Sequence, residues 1–84
     1  NGVVFYMIVA STSAFIANNQ YTIATFDAGY RPKANVIGNG YTTDGGFAPK
    51  AIVSVLTQTN GAVRVSASAT TGSYFFVTGW FNIG

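Results

Sequence analysis

Residues 3–10 read V-V-F-Y-M-I-V-A, and no other stretch constrains the fold as much. Successive side chains of a strand point to opposite faces, so Val3, Phe5, Met7 and Val9 line one side and Val4, Tyr6 and Ile8 the other. Both sides are apolar. Residues 73–83 repeat the pattern, with Tyr74, Phe76, Thr78 and Trp80 on one face and Phe75, Val77, Gly79, Phe81 and Ile83 on the other. A single small sheet folded on itself has one interior. Strands that are apolar on both faces need a second apolar environment, and a partner subunit is the simplest one; the alternative is a thick single-chain core with a few exposed aromatics. Residues 62–69 behave differently. There Val63, Val65, Ala67 and Ala69 alternate with Arg64, Ser66 and Ser68, the mark of a half-buried strand with a polar outer face.

Length and composition push in the same direction. Eighty-four residues make one small domain, 1–84. A chain of this mass folds to a surface of about 4,800 Å², and at that size apolar burial and lost chain entropy nearly cancel. A further staple is therefore expected. There is no cysteine for a disulfide and no histidine for the usual zinc sites, so no metal is expected and self-association remains. Charged residues are 7% of the chain, against about 25% in ordinary domains. Hydrophobic residues are 49% and aromatics 15%, a composition hard to keep soluble as a monomer. The net charge of +2 rests on four basic groups, too few to follow a phosphate backbone, so nucleic acid is not an expected partner. The apolar run at 3–10 is far short of the roughly 20 residues of a membrane helix, and no basic segment precedes it as in a signal peptide. No membrane partner is expected. The chain opens almost inside a strand, which reads as a domain cut from a longer protein.

Val, Ile, Thr, Tyr and Phe dominate, punctuated by Gly and Asn clusters, so the expected class is all-β. Strands are predicted over 3–11, 14–17, 20–26, 34–42, 47–57, 62–69 and 73–83. Breaks fall at N-N-Q (18–20), D-A-G-Y-R-P-K (27–33), T-D-G-G (43–46), T-N-G (59–61) and T-T-G (70–72). Asn60-Gly61 is the strongest hairpin signal and Asp44-Gly45 the second. Gly38-Asn39-Gly40 lacks the strand–helix context of a dinucleotide loop and is expected as a turn or bulge. Six or seven short strands suggest a small antiparallel barrel or sandwich.

Enzymatic chemistry needs a base, an acid, a nucleophile or a metal. The chain has no His, Cys or Glu, and its two carboxylates, Asp27 and Asp44, sit beside glycines in turns where Asp bonds its own backbone. The serines and threonines lack a partner to activate them. No catalytic residue and no cofactor are expected. Binding is harder to dismiss. Sugars are held in shallow sites by an aromatic face and a few polar groups. Tyr41, Asp44, Arg64 and Trp80 have that chemistry and are the candidate ligand-binding residues. Each also has a purely structural explanation: a packed strand aromatic, a turn-shaping carboxylate, a solvated outer-face cation, and a core or interface indole.

One turn holds half the charge. Residues 24–36 read A-T-F-D-A-G-Y-R-P-K-A-N-V and contain Asp27, Arg31 and Lys33. Gly29 permits a positive φ, and Pro32 biases Arg31 to an extended conformation. Tyr30 can lie on the barrel end, and the Arg31 guanidinium can staple loop carbonyls or Asp27.

These segments also resemble a known family. Y-T-I-A-T-F-D-A-G-Y-R-P-K, then A-I-V-S-V-L-T-Q-T-N-G-A-V-R-V, then G-S-Y-F-F-V-T-G-W-F look like the C-terminal head domain of phage receptor-binding proteins. Those heads sit at the tail tips or baseplates of phages infecting Gram-positive bacteria, lactococcal phages among them. The similarity spans most of residues 20–83, through short motifs. It implies a homotrimeric, jelly-roll-like β-barrel head on a tail fibre or baseplate appendage, located on the virion and adhering to cell-wall saccharide outside the host. Its partners are then itself, the saccharide and the upstream tail segments. The family's Gly-Tyr-Arg-Pro matches Gly29, Tyr30, Arg31 and Pro32, in a structural role. Phe26-Asp27 stands where that family commonly has leucine-proline, and the histidine often found in its sugar sites is missing, so no binding residue carries over. The alternative is a trimerisation or capping module with no ligand. The jelly-roll domains of C1q and tumour necrosis factor are similar in class but run well beyond 84 residues.

Overall fold

The computed structural model describes residues 2–43 and 48–83, as backbone alone at 12–14 and 71–73. The β-formers yield six strands: β1 (Gly2–Phe15), β2 (Tyr21–Thr25), β3 (Val36–Thr43), β4 (Pro49–Thr57), β5 (Ala62–Ala67) and β6 (Thr71–Ile83). A single 3-10 turn, Ala28–Tyr30, is the only helical element among the described residues. The predicted strands 3–11 and 14–17 are one. β6 runs beside β1 along its whole length and carries it through a register shift between Thr12 and Phe15. The Asp44-Gly45 hairpin signal lies outside the described residues, although β3 and β4 pair antiparallel up to Thr43 and Pro49 on either side of it.

All pairs are antiparallel, in one sheet of order β1-β6-β3-β4-β5-β2. β3–β4 and β4–β5 are joined as neighbours, whereas the β1–β2 and β5–β6 connections cross from one half of the sheet to the other. The sheet curls into a half-barrel around the inward set Phe15, Val53, Val55, Val63, Val65, Ala67, Phe75 and Val77. The curl is visible in contacts that span it. The Tyr6 hydroxyl of β1 meets Thr57 Oγ1 of β4 at 2.7 Å, and the Tyr6 ring stands edge-on to Phe26 at 5.5 Å. Phe15 lies 5.1 Å from Tyr21 of β2. The accessible surface, 4910 Å², matches that of an ordinary folded protein of this mass.

Gly38-Asn39-Gly40 is not a turn. It lies in the middle of β3, where bare backbone lets β6 fold close. A Cβ on Gly40 would collide with the Phe76 carbonyl and with Val77. Strong coiling of this kind is a known use of glycine within strands.

The hairpin at Asn60-Gly61 forms as expected. Gln58 N donates to the Ala62 carbonyl at 2.9 Å and Gly61 N to the Gln58 carbonyl at 2.8 Å. Gly61 takes φ 91°, the left-handed region open to glycine. The charged 27–33 turn docks on this hairpin. Phe26 N donates to the Gly61 carbonyl at 2.8 Å, and Arg31 Nε donates to the Phe26 carbonyl at 3.2 Å. Arg31 is extended (φ −97°, ψ 146°), as the following proline requires. Pro32 is buried and bridged to Ile83. Gly29 does not use a positive φ; among the described residues only Asn18 and Gly61 do. Tyr30 remains exposed.

Candidate functional site

The inner side of the half-barrel is filled by its own core, so any site lies on the outer side. The register arranges the outward residues in rows across the strands. One row holds Phe5 (β1) and Trp80 (β6), paired in register, then Ile37 (β3), Leu56 (β4), Arg64 (β5) and Thr22 (β2). The next holds Met7, Thr78, Asn39, Ser54 and Ser66. The third holds Val9, Phe76, Tyr41 and Ile52. Two apolar rows thus flank a row of small polar groups. Across the sheet there is a second gradient, from apolar on β1, β6 and β3 to polar on β5.

Hollows among the described residues indent this surface. The first, of about 630 Å³, is lined by Phe5, Met7, Ile37, Asn39, Thr78 and Trp80, with backbone at Gly38 and Gly79. The second, of about 660 Å³, lies between Met7, Asn39, Tyr41, Pro49, Ile52 and Phe76. The third, of about 300 Å³, lies over β4 and β5, with Gln20, Ser54, Arg64 and Ser66 as polar groups and Ile37 and Leu56 as apolar ones. Ile37 separates the first from the third.

The four predicted ligand residues do not share one hollow. Trp80 lines the first, its ring 6.4 Å from Phe5. Tyr41 lines the second and stacks on Phe76 at 5.3 Å and 21°. Arg64 lines the third. Its Nε is buried and has no hydrogen-bond partner among the described residues. Asp44 lies outside the described residues. Ser54, Ser66 and Gln20, which accompany Arg64, were not among the sequence candidates. Ser66 was legible as an outward neighbour of Arg64, but Ser54 joins it only through the β4–β5 register. Gln20 comes from the loop before β2, the edge strand that pairs with β5.

Chemically, the first two hollows offer apolar walls with an amide and a hydroxyl at their floor. The third offers two hydroxyls, an amide and a guanidinium, the mixture of donors and acceptors that a hydroxyl-rich ligand can use. No family model, no curated protein and no solved structure matches the chain.

Proposed function

We propose that the chain is the receptor-binding head of a phage tail appendage, a homotrimer that holds host cell-wall saccharide without catalysis. The observation that carries this reading is the division of the outer face. Its apolar part over β1, β6 and β3 suits contact between protein chains. Its polar hollow around Arg64 borders that part at Ile37 and suits a small ligand. Ser54 and Ser66 can donate and accept, the Gln20 amide does both, and the Arg64 guanidinium only donates. Leu56 supplies apolar wall for the C–H face of a sugar ring. A shallow site of this size binds weakly alone, and three linked copies raise avidity by a factor of about 10² or more without any new contact. The resemblance in the sequence supports the same reading, since it implies a trimeric adhesive head.

The test is labelling of Gram-positive host cells by the purified, fluorescently tagged chain, with competition against phage adsorption. Labelling should be present, and Arg64→Ala should weaken it by about tenfold or more, the value of a hydrogen bond to a charged group, with the oligomer unchanged. An oligomer that labels no host cell would instead establish a trimerisation or capping module.

A further inference from the structure

We infer that the outer face of β1, β6 and β3 is buried against further copies of the same chain. This names the surface behind the oligomer of the proposed function, and it holds whether or not the Arg64 hollow binds saccharide. The first observation is the size of the face. Ile37 is 81% exposed, Phe5 78%, Met7 72% and Trp80 56%, Val3, Val9, Tyr41 and Tyr74 add to them, and Ile52 of the adjoining β4, 70% exposed, extends the face. Together they present on the order of 1,000 Å² of apolar accessible surface, where a monomer's largest patch is about 300–600 Å² and a standard interface takes about 800 Å² from each partner.

The chemistry of the face selects the occupant. Its most exposed members are aliphatic side chains, a thioether and a phenyl ring, with Trp80 and Tyr41 partly engaged by Phe5 and Phe76. Three of its most exposed side chains, Ile37, Met7 and Ile52, offer no ring for a sugar to stack on, so this surface fits protein better than glycan. β1, β3 and β6 contain no charged residue and the adjoining β4 only Lys50, so identical faces meet with little like-charge repulsion. The face is also self-complementary. Phe5, Ile37 and Ile52 project from it, and hollows of about 630 and 660 Å³ flank the Met7–Thr78–Asn39 row between them. One copy supplies both the projections and the hollows that another copy needs. Finally, β1 is an edge strand with neither proline nor charge to blunt it, and its Phe5, Met7 and Val9 belong to the same face. Proteins that leave such an edge uncovered invite uncontrolled pairing.

The test is sedimentation of the wild-type chain and of Ile37→Lys, with Thr25→Lys as an exposed control off the face and circular dichroism to verify β structure. The wild type and the control should sediment as a closed oligomer. Ile37→Lys should raise its dissociation constant at least about tenfold, the equivalent of one lost Ile burial. The chain has no cysteine, so a second readout needs no background correction. Thiol reactivity follows access, and Ile37→Cys in the oligomer should react at least about tenfold more slowly than Thr25→Cys. A wild-type chain that sediments as one copy overturns the inference. So does an oligomer that Ile37→Lys leaves intact, or an Ile37→Cys variant whose thiol reacts as fast as that of the control. Cell labelling is a separate measurement, so failure of the saccharide reading and failure of this inference are told apart.

Discussion

Tyr6 shows how one side chain closes the half-barrel. Its ring packs against Phe26 and Phe81, lies over Gly79, and carries its hydroxyl across to Thr57, a residue with 1% of its surface exposed. Removing that hydroxyl leaves Thr57 Oγ1 buried without its partner, which costs about 1–3 kcal/mol. Tyr6→Phe is therefore expected to lower the urea midpoint by that equivalent with β structure retained, and an unchanged midpoint would show that the bond contributes nothing. That Tyr6 faces away from Phe5 and Met7 was legible from strand parity, although which side turns inward was not. Its partner was not, because the two residues are 51 positions apart. Arg31 was legible more fully, since a proline after it and a tight loop around it leave few places for its fork except a nearby carbonyl. Tyr41, Arg64 and Trp80 show the opposite case. Shared chemistry grouped them in the sequence, and strand order distributed them among three hollows.

At the scale of elements, β3 is the informative strand. Its glycines read as a turn or bulge because Gly-Asn-Gly within a short window is a signal for either whenever the neighbouring strands are unknown, yet the β3–β4 register runs unbroken through them. With β6 in place the same residues become the points where two backbones approach. Gly40→Ala must push its Cβ into the Phe76 carbonyl and Val77, and a displaced strand costs about 1–3 kcal/mol or more. Gly29→Ala meets open space in the exposed 3-10 turn and should change stability by less than about 0.5 kcal/mol. Thermal unfolding of the two variants measures the contrast, and equal effects would show that β3 and β6 do not depend on bare backbone at Gly40. The Asn60-Gly61 hairpin, by comparison, was legible in full, because its four residues carry their own geometry.

For the whole molecule, the dimensions decide. The Cα trace measures 39 × 22 × 16 Å, and sheets packed face to face stand about 10 Å apart. A body this thin has one interior layer, and that layer is filled. Among the described residues nothing covers the apolar outer side of β1, β6 and β3. If copies shelter each other, the unfolding temperature depends on concentration, and a tenfold dilution should lower it by about 4 °C for a domain of this size. A midpoint independent of concentration would contradict the self-association drawn from the face.

The sequence alone determined the class, the strand faces and the place of the charges. Strand periodicity and turn chemistry act between residues a few positions apart, so they can be read along the chain. It also revealed that two long strands are apolar on both sides, and hence that one interior is not enough. Only the tertiary structure decided that these strands are neighbours, that their outward residues form one continuous face with β3, and that Arg64 stands apart from it beside Ser54 and Ser66. Those facts follow from which strand pairs with which and in what register, a choice made by the joint packing of residues far apart in sequence.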